Sequence, residues 1–430
     1  YRRQRQMCIR DRITGIIAEY NPFHNGHAYQ LSQAREQTHA DYIVVILNGN
    51  FMQRGVPAIL NKYQRAAMAV AQGADAVFEL PTLYGTASAE FFAYGGVRLL
   101  DDLNCISALC FGCEDTSLEL LQQLADFLIE EPENYRCILN QALSDGLSFP
   151  KARQHALHAT FQASDASSEQ LDTLLTSPNA ILGIEYLKAL RQLQSSIIPA
   201  ICLRTDTGYH NTALTGRFCS ATAIREALLS HGCTENLLHY LPASTYSILQ
   251  SGCHMQSPIS LDDFYPYLQY CLWNPARPLT EYLDINTELS NRIQTLYDPA
   301  LSCSEFLDLL VNKSYTKTRI LRSLLHILLD IRSEQMMLQR KSNSMHYARL
   351  LAFRQEAAPL LKYINAHSSI PVINKVSTGL RQLKNTDSLG ASLLEQDIAS
   401  AHLYELAASR HYQRNPVNDF RAGIFIDSQS

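Results

Sequence analysis

Apolar residues in this chain fall first into short unbroken runs and later into helical spacing. From Ile13 onward the runs "ITGIIAEY" (13–20), "YIVVILN" (42–48), "AVFELP" (76–81), "ISALCFG" (106–112) and "IIPAICLR" (197–204) are rich in β-branched residues and of strand length. Between them, apolar positions recur with helical period over about 26–38, 63–72, 87–102 and 177–193. Strands alternating with helices predict an α/β, Rossmann-like parallel sheet with helices on both faces. In such sheets ligands sit outside the carboxyl ends of the strands.

The pattern changes twice. Residues 115–175 read as helices with no strand among them, which predicts a helical insertion between the fourth and fifth strands. Beyond Ser230 strands nearly vanish, and "TRILRSLLHILLDIRSEQMML" (318–338) has the spacing of one long helix. The expected organisation is an α/β unit over 13–230 and a mostly α-helical domain over 231–430, with a short apolar piece at 370–374 and a last helix near 391–408. Residues 1–12, "YRRQRQMCIRDR", carry five arginines and no apolar periodicity, and are expected to be a non-native leader outside the core.

Composition narrows the class without naming a chemistry. The 430 residues are 46% hydrophobic and 18% charged, enough to bury a large core. No apolar run approaches the ~20 residues that span a bilayer, so a cytoplasmic protein without a membrane partner is expected. The 11 cysteines are odd in number and scattered, which suits reduced thiols; Cys110 and Cys113 have a redox or zinc spacing but no second pair. Net charge is -5, yet 313–354 holds nine Lys/Arg against Asp330 and Glu334. That local excess is a candidate phosphate-backbone footprint or a solvated basic helix face.

The stretch with the most chemical content is "EYNPFHNGH" (19–27), directly behind the first strand. His-x-x-His spacing alone means little, since "HALH" (155–158) repeats it inside the insertion. Context distinguishes His24 and His27: a buried-type strand, the Asn21-Pro22 pair that stops it, and Gly26 where a helix must begin. A helix starting there aims its N–H groups and positive dipole end at the crevice, and Gly26 leaves room for a nucleotide. Imidazoles at i and i+3 share a face and can reach phosphate oxygens. Nucleotidyl transfer needs such donors to offset charge on the α-phosphoryl group and the leaving pyrophosphate, with Mg²⁺ on the phosphates. Two histidines with only Glu19 nearby make a poor zinc set, so no protein-held metal is expected.

Other stretches converge on the same sheet edge. "CSATAIREAL" (219–228) sets Ser220 and Thr222 at a helix start with Arg225 one turn in, a cap or a phosphate clamp. "NGNFMQRGVPAILNKYQRAAMA" (48–69) supplies Asn48, Gly49, Asn50, Gln53, Arg54, Gly55, Lys62 and Arg65, read either as a substrate loop or as a surface loop. Ser177-Pro178-Asn179 opens a helix, and Arg204 follows the fifth strand.

Taken in order, "GIIAEYNPFHNGH", "GNFMQRGVPA", "FELP", "SAEFFAYGGVRLL", "FGCED", "SPNAILGIEYLKAL" and "SATAIRE" resemble the tRNA(Met) cytidine acetate ligase family, from about Ile13 to Arg225 and thinly beyond. The resemblance implies that acetate and ATP give acetyl-adenylate, whose acetyl group passes to N4 of the wobble cytidine of elongator tRNA(Met). It implies ATP contacts at Ile17, Ala18, Glu19, Tyr20, Asn21, Pro22, Phe23, His24, Asn25, Gly26 and His27, and at Gly112, Asn179, Arg204, Thr205, Ser220 and Thr222. His24, His27 and Arg225 are the expected catalytic groups. Thr205 and Asn211 depart from the family's usual aliphatic residue and Asp. The tRNA would need a basic surface, for which Lys313, Lys317, Arg319 and Arg322 are the candidates, with Tyr315 available to stack. The alternatives are a nucleotidyltransferase acting on a phosphorylated cofactor precursor, or an ATP- or RNA-binding regulator without turnover.

Overall fold

Five parallel strands, β1 (Ile13–Ala18), β2 (Tyr42–Asn48), β3 (Ala76–Leu80), β4 (Ala108–Cys113) and β5 (Ile198–Leu203), form the body of one sheet. The computed structural model describes residues 11–114, 117–161, 168–204, 219–252 and 258–428. Strand order is β5-β4-β1-β2-β3, so the chain winds outward from β1 and then returns to its other side at β4. That reversal opens a crevice at the carboxyl ends of β1 and β4. Helices α1 (Asn25–Gln37), α2 (Lys62–Val70) and α3 (Ala89–Asp102) make the crossovers, and β1, β2 and β3 are buried nearly throughout. Close packing sets their distance: a Cβ on Gly96 of α3 would stand 2.7 Å from Ile17 Cδ1 on β1.

The insertion is helical as expected, with segments at Leu118–Glu130, Glu133–Ser144, Phe149–Thr160 and Ser168–Thr176 leading into α4 (Pro178–Gln192). Helix α5 (Ala221–His231) follows β5. The far half is mostly helical, as expected, and also contributes strands to the sheet. Residues 348–354 form β6 (Ala348–Arg354), antiparallel to β3, and β7 (Val372–Ile373) and β8 (Phe425–Asp427) flank it, so the sheet has eight strands and draws on both halves of the chain. Arg349 explains why this strand looked like part of a basic surface. It is 2% exposed, facing Glu79 at 3.1 Å and Asp419 at 2.8 Å, and Lys62 meets the same carboxylates at 2.8 and 3.3 Å. Buried charges survive only when paired in this way.

The long helix expected over 318–338 is two, α6 (Lys317–Leu328) and α7 (Ser333–Ser342). Asp330 between them has φ 53°, a left-handed turn that apolar spacing does not reveal. Buried His326 of α6 places its ring nitrogens 2.9 Å from the Leu283 carbonyl and 3.0 Å from the Thr86 carbonyl, tying α6 to the loop before α3. A second, smaller core of Leu289, Ile293, Phe306, Leu310, Ile320 and Leu324 spans 265–327, while the main core runs from Ile13 to Tyr412 through helix α8 (Ser388–His411). The smaller core therefore lies inside the far half, and the main core draws on residues from both sides of residue 230. Arg12 also belongs to the fold: its carbonyl accepts the Asp41 and Tyr42 N–H groups at 2.8 and 3.2 Å. No described helix is long and apolar enough to cross a membrane.

Candidate nucleotide site

His24 is the N-cap of α1, and its own side chain makes the cap: Nδ1 accepts the Gly26 N–H at 3.1 Å. His27 reciprocates, its Nδ1 accepting the His24 N–H at 3.2 Å, so the two residues form a capping box built from imidazoles. Their rings stack at 3.7 Å between centroids. A neutral imidazole whose Nδ1 accepts must carry its proton on Nε2. Burial, then the nearby Arg204 and Arg225 charges, push the His24 pKa down to about 3. His27 is held well below the usual value by burial, then His24 and Arg204. Both rings are neutral donors through Nε2 at neutral pH.

The helix start is less open than the sequence suggested. The Asn25 N–H donates to the Tyr240 carbonyl at 2.9 Å and the His27 N–H to the His24 carbonyl at 2.9 Å, while Gly26 is used by the cap. Side chains, more than bare backbone N–H groups, therefore offer hydrogen bonds to an anion at this helix start.

The loop before it is tied down from three directions. Arg225 of α5 donates to the Asn21 carbonyl at 2.7 Å and to Thr222 Oγ1 at 2.9 Å. Asn21 Oδ1 accepts the Ile59 N–H at 3.0 Å. Arg65, fully buried on α2, donates to the carbonyls of Glu19 at 2.6 Å, Asn48 and Leu60 at 3.0 Å each, and Gly49. Burial depresses the Arg65 pKa to about 10, against the pull of nearby Tyr404 and Glu19. Neither Lys62 nor Arg65 faces out from the loop: Arg65 holds strand ends together, and Lys62 is sunk between Glu79 and Asp419. The sequence left them on either a substrate loop or a surface loop because the carbonyls that satisfy Arg65 include strand ends distant in sequence.

Ile17 and Ala18 end β1, Glu19 to Phe23 form the loop, and Asn25, Gly26 and His27 begin α1, so the expected N-terminal set is contiguous around the crevice. Glu19 Oε1 accepts the Gln53 N–H at 2.7 Å and the Asn48 side-chain amide at 3.2 Å, which draws the 52–55 turn to the end of β1. Gly112 lies on β4 with the Arg204 side chain 3.6 Å from where its Cβ would be. Asn179 donates to Glu114 Oε1 at 2.5 Å, and Glu114 also caps α4 at the Ala180 N–H. Ser220 caps α5 by accepting the Ala223 N–H at 3.1 Å. Thr205 lies outside the described residues. Glu114 was missed in the sequence, although an acid just after a strand and a Ser-Pro-Asn start further on are the signal of such a cap.

The basic stretch separates into two kinds of residue. Lys313 and Lys317 are exposed, and Arg319 lies 4.9 Å over the Tyr315 ring. Arg322 instead pairs with Asp284 at 2.9 Å, mostly buried. Tyr315 is 1% exposed with its hydroxyl donating to Asn286 and Glu288, so it does not present a face for stacking.

The parallel sheet, its switch point and the histidine-capped helix there define a nucleotidyltransferase, and the family described as HIGH Nucleotidyl Transferase matches residues 11–419. The tRNA(Met) cytidine acetate ligase of Alkaliphilus metalliredigens (strain QYMF) is 39% identical over 407 residues, 93% of this chain and 95% of its own. That of Acetivibrio thermocellus is 36% identical over 420 residues, 96% and 100% of the two chains. Thermotoga maritima TmcAL bound with alpha-thio ATP is 29% identical with a TM-score of 0.88, over 97% of this chain and 100% of that one. The apo form of that protein gives 0.89 at 30% identity over the same shares. This chain belongs to the tRNA(Met) cytidine acetate ligase family.

Proposed function

We propose that this protein ligates acetate to a cytidine of elongator tRNA(Met) at the expense of ATP, in two steps at the crevice between β1 and β4. An acetate oxygen forms a bond to the α-phosphorus of ATP, the bond to the bridging oxygen breaks, and pyrophosphate leaves with the electron pair. The wobble cytidine N4 then attacks the acetyl carbon, AMP leaves, and N4 gives up one proton to water. The observation that carries the reading is the stacked, neutral His24 and His27 pair with Nε2 donors, beside Arg204 and Arg225. Fixed donors of this kind stabilise negative charge as it develops, without protonation changes of their own.

The nucleoside would lie toward β4 and β5, where Gly112, Asn179 and Arg204 gather, with the triphosphate over His24, His27 and the Ser220–Arg225 turn. Among the described residues no group of three or more His, Cys, Asp or Glu could hold a metal ion. Mg²⁺ would therefore be held chiefly by phosphate oxygens and water. Lys313, Lys317 and Arg319 are the basic residues proposed to meet tRNA phosphates, and cytoplasmic placement, where ATP and tRNA meet, follows from this reading.

Acetate-dependent exchange of labelled pyrophosphate into ATP tests the first step. Exchange that requires acetate and persists without tRNA is the expected result. Exchange driven only by a phosphorylated small molecule would mark a cofactor-type nucleotidyltransferase, and ATP binding with no exchange under any acceptor a regulator.

A further inference from the structure

Glu19 has one carboxylate oxygen that the fold leaves unused. The rest of the residue is fastened: its carbonyl accepts Arg65 Nη1 at 2.6 Å, and Oε1 accepts the Gln53 N–H at 2.7 Å and the Asn48 side-chain amide at 3.2 Å. Asn48 is fully buried and the same amide donates to the Gly85 carbonyl at 2.8 Å, which anchors this donor in turn. Oε2 has no hydrogen-bond or ion-pair partner among the described residues, and in a half-buried side chain it stays within reach of solvent. Arg54, Arg65 and Arg225 feel the Glu19 charge, while Arg65 and Arg225 direct their hydrogen bonds to backbone carbonyls and Thr222.

The other described carboxylates near these strand ends differ from it. Glu114 has both oxygens on Asn179 and the Ala180 N–H, and Glu79 lies buried against Lys62 and Arg349. Glu226 is exposed on α5, and no hydrogen bond fixes its side chain among the described residues. Asp115 and Asp206 lie outside the described residues.

The two donors to Oε1 come from the end of β2 and the 52–55 turn, so the side chain leans to the β2 side, away from β4 and β5 where the nucleoside of ATP is proposed to lie. The turn is closed by the Met52 N–H on the Val56 carbonyl at 2.8 Å and the Gly55 N–H on the Met52 carbonyl at 2.9 Å. Gly55 has φ 80°, and a Cβ there would collide with the backbone of Leu321 and Arg322, so only glycine lets the turn seat on α6. One short turn therefore joins Glu19 to the helix whose first turn carries Lys317 and Arg319, the residues proposed to meet tRNA phosphates.

We propose that Glu19 accepts a hydrogen bond from the exocyclic amine of the incoming cytidine and takes the proton which that amine releases. A carboxylate oxygen suits N4 of cytosine, a donor, and repels O4 of uracil, an acceptor. As N4 bonds to the acetyl carbon, the bond from that carbon to the adenylate oxygen breaks and AMP leaves with the electron pair. N4 passes one proton to Oε2, which returns it to water. This role rests on the acetate-ligase reading above and concerns its second step alone.

The test compares the full chain as wild type, Glu19→Gln and Glu226→Gln in two assays: acetate-dependent ATP–pyrophosphate exchange without tRNA, and single-turnover transfer of labelled acetate to elongator tRNA(Met). Glutamine keeps an oxygen for the Gln53 N–H and the Asn48 amide but takes no proton. Exchange by Glu19→Gln within about twofold of wild type is expected, with transfer slowed about 100-fold. Glu226→Gln should alter neither. Transfer retained in Glu19→Gln, or exchange and transfer lost together as for a residue of the ATP site or the fold, would overturn the assignment. Absence of acetate-dependent exchange in the wild type would overturn the ligase reading itself, a result distinct from any change confined to the variant.

Discussion

The imidazoles of His24 and His27 lie face to face, centroids 3.7 Å and planes 28° apart, and each Nδ1 accepts a backbone N–H from the helix start they cap. One geometry therefore fixes their tautomer, their neutrality and their direction. Protonation of either ring would break a cap and set a charge beside its neighbour, with Arg204 already near.

The pH dependence follows from the sign of that shift. His24 has its folded pKa lowered to about 3 from 6.5, so between those values the unfolded chain binds the extra proton and stability falls as pH drops. Above about pH 6.5 this group adds nothing further. For catalysis, the pH profile of kcat/KM for ATP should show no acid limb near pH 6.5 that depends on either histidine. A limb centred there, removed by substituting either histidine, would contradict the neutral pair.

Capping and catalysis can be separated at His24. Asparagine is a good N-cap but offers no group in the place of imidazole Nε2. His24→Asn should leave the denaturation midpoint nearly unchanged and lower kcat by about 100-fold, the usual cost of removing one transition-state donor. Loss of stability with kcat retained in the folded fraction would make His24 a cap only.

Arg349 tests the joint between the halves of the chain. Arg349→Met removes a cation from between Glu79 and Asp419, both 2% exposed, leaving Lys62 to face them. Breaking a buried ion network from one side costs about 3–5 kcal/mol, read by chemical denaturation. A change below about 1 kcal/mol would mean that β6 is held by apolar packing alone.

The basic helix start is tested by salt. Lys313→Ala, Lys317→Ala and Arg319→Ala combined should weaken tRNA binding and flatten the dependence of log affinity on log salt by about 0.7–0.9 for each phosphate that is no longer neutralised, with ATP affinity unchanged. Arg322→Ala should instead lower stability, because it strands Asp284, which is mostly buried. Unaltered tRNA affinity in the triple variant would remove this surface from the account.

What the sequence made legible was what local pattern controls. The runs at 13–20, 42–48 and 76–81 became strands within a residue or two, because parallel strands covered on both faces are apolar throughout. "EYNPFHNGH" announced its place through a strand stop and a glycine, and the structure seats it at the switch point. Hidden from the sequence was whatever depends on distant partners. "ARLLAFR" reads as basic and apolar alike until Glu79 and Asp419 are brought against Arg349. Tyr315 looked available to stack, but its hydroxyl partners come from Asn286 and Glu288, in a segment whose spacing gives no hint that they meet. The His24 cap was equally hidden, since histidine is not among the residues expected to cap a helix.

On the function proposed above, the carboxylate meeting ATP at this site is acetate and the acyl acceptor is a tRNA cytidine. The direct measurement is nucleoside mass spectrometry of elongator tRNA(Met) after incubation with the protein, ATP and isotopically labelled acetate. Labelled N4-acetylcytidine is expected together with one AMP and one pyrophosphate per nucleoside modified, and none of these products from a His24→Asn, His27→Ala variant. ATP cleavage without labelled acetylcytidine, or label entering another nucleoside or a small molecule, would contradict it.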